Sequence, residues 1–165
     1  DYSSAASDVY KRQTFMTGEV FNSFTENTIL SSSVNYVEFN DKYKTSFING
    51  VNQIKEGSSL INAAFKIRTN DLFKKMSKED NYHFLSGLLI GEELLKLDLS
   101  DTKKIIVYAN PQLTKIYTTA LKHLETNEEI ICVPEKKLAK IQVLGQFKIY
   151  QQFSLEKSHP SNYEV

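Results

Sequence analysis

A lone cysteine, Cys132, leaves this 165-residue chain no partner for an internal disulfide, so nothing in it argues for an oxidising compartment. Cys132 stands in the apolar run Ile130-Ile131-Cys132-Val133, which predicts a buried small hydrophobe. An excess of either charge is also missing: 20 Lys and Arg balance 20 Asp and Glu. Nucleic-acid binding needs a basic face to neutralise phosphates, so no nucleic-acid partner is expected. No long apolar run is present. The most strongly apolar stretch, Leu85 to Ile90, is far short of the roughly 20 residues that span a bilayer, and no membrane partner is expected. The sequence has no GxxxxGK[ST] loop, no HExxH and no cysteine pair. His83, His123 and His159 fall at spacings that define no metal site. The first two sit on predicted helices, where a packing or surface role is the default. Glu92-Glu93 reads as a solvated face.

The chain does have hydrophobic residues, 41% of the total with ten Phe and nine Tyr. That is enough for the core of one domain. Residues 1–13 have no apolar segment of the kind a signal peptide requires. Ser3 to Gln13 reads SSAASDVYKRQ, which resembles a translated sequencing-library adapter joined in frame to a truncated gene. The expectation is a non-native leader over 1–13, a natural polypeptide starting near Thr14, one domain over 14–153 and a flexible tail over 154–165.

From Glu19 to Asn27, Val20, Phe21 and Phe24 sit at helical spacing, and 31–40 is a polar loop. Tyr43, Phe47, Val51 and Ile54 trace one face of a helix, capped by Asn40 or Asp41 and stopped by Gly57. Ser58 or Ser59 caps the next helix, which carries Leu60, Ala63, Ala64 and Ile67 toward Met76. Ser77 followed by Asp80 predicts the start of the longest helix, ending near Leu97. Gly87 and Gly91 share one face of it. Two helical glycines cost about 1 kcal/mol each against alanine, so something must approach closely there, either another backbone or a ligand.

The last third is different. Ile105-Ile106-Val107-Tyr108-Ala109 is β-rich without alternation, which predicts a strand covered on both faces. Asn110 and Pro111 fit a helix cap and first turn. Leu113, Ile116, Tyr117, Ala120, Leu121 and Leu124 trace an amphipathic face, 129–133 is a second strand, and a final helix runs from Leu138 to about Phe153. Strand, helix, strand, helix implies a parallel sheet. Ligands of such sheets bind beyond the strand ends, which makes 110–113 a candidate contact.

Thr14-Phe15-Met16-Thr17-Gly18-Glu19, Phe47 with Gly50-Val51, Phe65-Lys66-Ile67-Arg68-Thr69 and Phe84-Leu85-Ser86-Gly87-Leu88-Leu89-Ile90-Gly91-Glu92 occur in the order found in 2-dehydro-3-deoxygalactonokinases. The region Ile105 to Tyr117 and Gly145 extend the match, so residues 14 to 150 resemble the C-terminal part of that family. The resemblance implies an α/β, RNase-H-like (actin-like ATPase) C-terminal kinase domain, truncated and with additional helices. It also implies a cytoplasmic enzyme that uses ATP and Mg²⁺ to phosphorylate the 6-hydroxyl of 2-dehydro-3-deoxy-D-galactonate, a step of D-galactonate catabolism. The partners implied are that small sugar acid and a missing N-terminal domain in cis carrying an acidic, Gly-rich phosphate motif; the fragment alone is expected to be inactive. Thr17, Gly18, Glu19 and Arg68 are the expected cleft or substrate residues, with Glu19 the candidate base. Arg68 would meet a substrate carboxylate or phosphate, or else a structural ion pair. Gly87, Gly91, Asn110 and Pro111 are the expected nucleotide contacts. The family pattern A-G-x-x-L is replaced by Ala109-Asn110-Pro111-Gln112-Leu113, a departure that bears on the nucleotide turn. The alternatives are a kinase for another small sugar acid and a non-catalytic nucleotide-binding relative.

Overall fold

A computed structural model of the chain describes residues 14–97, 103–126 and 129–158. The expected leader over 1–13 and His159 lie outside them. Four helices come first: α1 (Thr17–Glu26), α2 (Lys44–Lys55), α3 (Leu60–Leu72) and α4 (Lys78–Leu95). Then β1 (Lys104–Val107), α5 (Pro111–His123), β2 (Glu129–Cys132) and α6 (Glu135–Ser158) complete an α/β arrangement. Single 3₁₀ turns at Ser31–Ser33 and Asp41–Tyr43 punctuate the loop before α2.

Local signals account for several boundaries. Ser77 accepts a hydrogen bond from the Asp80 amide at 3.0 Å and starts α4 as the sequence predicts. Burial alone would raise the pKa of the Asp80 carboxyl, but hydrogen bonds from Ser77 and Ser46 outweigh it and hold the group below the usual range. Asn40 caps the 3₁₀ turn rather than α2 itself, accepting from the Lys42 amide at 3.0 Å. The helix expected to continue toward Met76 stops at Leu72, and Lys74 takes a left-handed φ of 51° that no helix continues through. The final helix runs on to Ser158, past the Phe153 end expected from the sequence.

The core is organised around α4, which is buried on every side from His83 to Gly91. One cluster joins it to α1, α3 and the loop, through Leu30, Val34, Ala63, Ala64, Ile67 and Leu85. A second joins it to α2, α5 and β1, through Phe39, Phe47, Val51, Val107, Ala120 and Leu121. The two helices α2 and α4 cross backbone to backbone. A Cβ built on Gly87 would lie 2.0 Å from the Phe47 carbonyl oxygen, and one on Gly50 would lie 2.2 Å from the Phe84 carbonyl oxygen. At Gly91 it would meet the Val51 Cα at 3.1 Å. The close approach that the helical glycines demand is therefore supplied by another helix.

The strands β1 and β2 pair in parallel, Lys104 opposite Glu129 through Val107 opposite Cys132. The cover is one-sided. Val107 is buried under α5, but Ile106, pointing the other way, is 64% exposed, so the expectation of a strand covered on both faces is corrected. Cys132, the last residue of β2, is exposed too, so the expectation of a buried small hydrophobe is corrected. The described side chains of α6 are exposed, among them Ile141, Leu144, Phe147 and Tyr150.

Gly87→Ala is expected to cost about 2–3 kcal/mol, as overpacking of a tight core does, and to lower the urea midpoint followed by circular dichroism. Gly145→Ala, where an added Cβ meets nothing within 4 Å, is the matched control. An unchanged midpoint for Gly87→Ala would contradict the close crossing.

Candidate functional site

A cavity of about 320 Å³ opens between α1, α4 and α5. Thr17, Gly18, Phe21 and Asn22 line it from α1, and Tyr82, His83, Ser86, Leu89 and Ile90 from α4. Leu113, Ile116 and Tyr117 close it from α5. Most of this wall is apolar, and no Lys or Arg belongs to it. A larger open depression of about 550 Å³ at the α3–α4 corner is polar, with Lys74, Lys75 and Lys78 beside Asp71 and Asp80. It contains none of the residues the sequence singles out as site residues.

Three helices are tied together at the mouth of the smaller cavity. Glu93, half-buried on α4, accepts hydrogen bonds from the Thr17 hydroxyl of α1 and, at 3.0 Å, from the Tyr117 hydroxyl of α5. Burial, then the adjacent Glu93 charge and hydrogen bond, push the Tyr117 phenol well above its ordinary pKa. The phenol therefore acts as a fixed donor to the carboxylate. Glu93 is thus an anchor rather than part of the solvated face the sequence suggested.

His83 is 1% exposed, and neither ring nitrogen has a hydrogen-bond partner. Rings of Tyr43, Phe39 and Tyr82 surround it at centroid distances of 5.0, 5.3 and 5.4 Å. Burial lowers its pKa, and the Val37 carbonyl and the Asp80 charge pull the other way without prevailing. The Val37 carbonyl reaches hydrogen-bonding geometry with neither nitrogen.

The predicted residues divide into those at the cavity and those elsewhere. Thr17 and Gly18 line it, and no side chain caps the α1 amides there. A Cβ on Gly18 would enter open space. Glu19 is exposed on the same turn, outside the wall. Asn110 and Pro111 begin α5 one turn from Leu113, with the Asn110 side chain accepting from the Leu113 amide at 2.9 Å. Asn110 has φ −62°, so this turn needs no left-handed residue and tolerates the replacement of glycine. Gly87 and Gly91 face α2. Arg68 lies apart, hydrogen-bonded to Ser32 and Ser33 at 3.2 Å and 3.8 Å from Asp71, where it pins the Ser31–Ser33 turn to α3. Among the described residues no three His, Cys, Asp or Glu side chains gather closely enough to hold a metal ion.

Comparison with known proteins places this arrangement. The profile of the 2-keto-3-deoxy-galactonokinase family matches residues 3–141. The chain belongs to that family. A curated protein of Rhizobium meliloti (strain 1021), named as a 2-dehydro-3-deoxygalactonokinase, is 34% identical over 82 residues, covering 49% of this chain and 27% of the relative. A crystal structure described as a 2-dehydro-3-deoxygalactonokinase from Sinorhizobium meliloti superposes with a TM-score of 0.67 at 26% identity, over 78% of this chain and 41% of that one. The chain thus spans less than half the length of either relative. The small parallel sheet flanked by helices is the actin-like, RNase-H-like kinase fold of this family and of its sugar kinase and actin ATPase superfamily.

The sequence reading gave His83 and Glu93 no place at the cavity; the one signal available was that His83, Ser86, Ile90 and Glu93 recur at helical steps on one side of α4.

The buried imidazole carries a pH signature. Its folded pKa is depressed from 6.5, so below that value the unfolded chain binds a proton that the folded chain refuses, and stability is lost as the pH falls. Asp80, depressed from 3.8, contributes only in a lower window. Urea denaturation at pH 7 and pH 5 is expected to show lower stability at pH 5, and His83→Phe is expected to flatten that difference. An equal slope in the variant would rule out His83 as its source.

Proposed function

We propose that the longer protein containing this chain is a sugar-acid kinase that transfers the γ-phosphoryl group of ATP to the 6-hydroxyl of 2-dehydro-3-deoxy-D-galactonate in the cytoplasm. This chain supplies the nucleotide-facing wall of its cleft. The supporting observation is the composition of the α1–α4–α5 cavity. An anionic, polyhydroxylated sugar acid calls for cationic and hydrogen-bonding partners, whereas this wall is mostly apolar and has no cation. It suits the flat faces of a nucleobase.

The helix termini divide the rest of the nucleotide. At α5, Pro111 has no N–H and the Leu113 amide is taken by Asn110, so little remains there to hold a phosphate. That turn flanks the base and ribose. The uncapped first turn of α1, Thr17-Gly18-Glu19, opens on the cavity and is where a phosphate oxygen would find amide donors. Gly18 leaves room for it. Gly87 and Gly91 serve the nucleotide indirectly, by letting α2 support α4 from behind.

In the transfer, the bond between the γ-phosphorus and the ADP oxygen breaks as the sugar oxygen bonds to phosphorus, and the hydroxyl proton passes to a base. The N-terminal domain upstream would supply the acidic phosphate motif and the sugar-acid contacts. Mg²⁺ is held in such sites chiefly by phosphates, water and one or two carboxylates, which fits a chain with no carboxylate cluster of its own among the described residues. Glu19 on the open rim is the carboxylate of this chain best placed to face the phosphates.

Release of ADP from MgATP by the longer protein, with 2-dehydro-3-deoxy-D-galactonate as acceptor, tests this reading. Ile116→Trp, which fills the cavity, is expected to raise the KM for ATP by about tenfold, a loss of roughly 1.4 kcal/mol, with the KM for the sugar acid unchanged. A rise in the sugar-acid KM alone would give the cavity to the sugar acid. Absence of turnover with every sugar acid offered would overturn the kinase reading.

A further inference from the structure

We infer that the Ser86 hydroxyl holds the polar edge of the bound nucleobase and makes Ser86 a specificity-determining residue of the α1–α4–α5 cavity; this rests on the reading of that cavity as the base site. The inference comes from which polar groups of the wall are already engaged. The Thr17 and Tyr117 hydroxyls both donate to Glu93. The His83 nitrogens are inaccessible, enclosed by the rings of Phe39, Tyr43 and Tyr82. Asn22 is exposed and Tyr82 half-buried, so water can serve both. Ser86 differs from all of these. It is 8% exposed and lines the cavity, and its hydroxyl has no hydrogen bond to any described residue. Unlike the His83 nitrogens, its oxygen is not sealed off, so it stays open to the cavity it lines.

A helical hydroxyl normally has a partner at hand, because it can donate to the carbonyl one turn back. Thr25 does so to Phe21, Thr118 to Thr114 and Thr119 to Lys115. Ser86 makes no such bond. Nor does the fold call for serine, since alanine is the better helix former and would bury no hydroxyl. A serine in this place is explained by a partner that enters the cavity. Leu89, Ile90, Leu113 and Ile116 offer apolar surface to the faces of a flat heterocycle. They offer nothing to its edge. A hydroxyl both donates and accepts, so it can meet the amino group or a ring nitrogen of an adenine edge. With no cation in the wall, the match is to a neutral base edge and not to a carboxylate or phosphate.

The test uses the 165-residue chain and Ser86→Ala, which removes the oxygen and adds no bulk. The Ser86 ¹³Cβ resonance and the methyl resonances of Leu89, Ile90, Leu113 and Ile116 are followed by NMR. The ligands are adenosine, benzimidazole riboside (whose six-membered ring has no nitrogen and no amino group) and 2-dehydro-3-deoxy-D-galactonate. Adenosine is expected to shift the methyls and the Ser86 resonance saturably and to bind about fivefold more tightly than benzimidazole riboside. Ser86→Ala is expected to abolish that preference by weakening adenosine alone, with the Tm unchanged or raised. A lower Tm, or an equal loss for both nucleosides, would mark a structural serine and overturn the inference. If adenosine moves the methyls and the variant binds it as tightly as the parent chain, the inference about Ser86 fails and the base site stands. If no nucleoside moves the methyls, or only the sugar acid does, the base site fails and the inference with it.

Discussion

The backbone contact between α2 and α4 is the constraint on which the rest of this domain depends. Gly50 and Gly87 face each other across it so closely that any side chain on either would collide with a carbonyl oxygen of the other helix. Such a crossing brings α4 to the centre, where one side meets α1 and α3 and the other meets α5 and β1. A larger residue at either glycine would push the helices apart and with them the two clusters that share α4. The cost of glycine within a helix is offset here by burial of Phe47, Val51, Leu85 and Leu88, all essentially inaccessible to solvent.

A helix buried on every side has to account for each polar atom it carries. Asn81 does so by donating to the Ser33 and Ile67 carbonyls at 3.1 and 3.3 Å, which also locks the Ser31–Ser33 turn in place. Ser46 donates to Asp80 at 2.7 Å across the α2–α4 interface. Glu93 gathers Thr17 and Tyr117 at the cavity mouth, and His123 of α5 meets Asn52 of α2 at 2.6 Å. His83 alone among these α4 groups has both polar atoms unpaired. Asp80, Asn81 and Glu93 hold the fold through hydrogen bonds, whereas His83 is held by the rings of Phe39, Tyr43 and Tyr82.

Much of the helical framework was legible in the sequence, because its apolar periodicity matches burial: Phe47, Val51 and Ile54 on α2, and Leu121 on α5, lie where their spacing puts them. The Asn110-Pro111 helix start and the parallel pairing of the strands were legible for the same local reasons. The cover over the strands was not. Ile106 and Cys132 have sequences suited to an interior, and their exposure depends on which other segments pack there, a non-local property. The roles of Glu93 and His83 were hidden for a related reason: a carboxylate or imidazole on a helix is ordinary until its neighbours from other helices are known. Arg68 shows the converse, a motif residue whose partners Ser32, Ser33 and Asp71 are all local to the α3 edge.

The division of labour proposed for the cleft, with the base in the α1–α4–α5 cavity and the sugar acid held by the remainder of the protein, is tested most directly by intermolecular nuclear Overhauser effects between adenosine and the methyl groups of this chain. The account predicts contacts from the adenine H2 and H8 protons to Leu89, Ile90, Leu113 and Ile116. Contacts confined to residues around Lys74 and Lys78, in the polar depression at the α3–α4 corner, would contradict it.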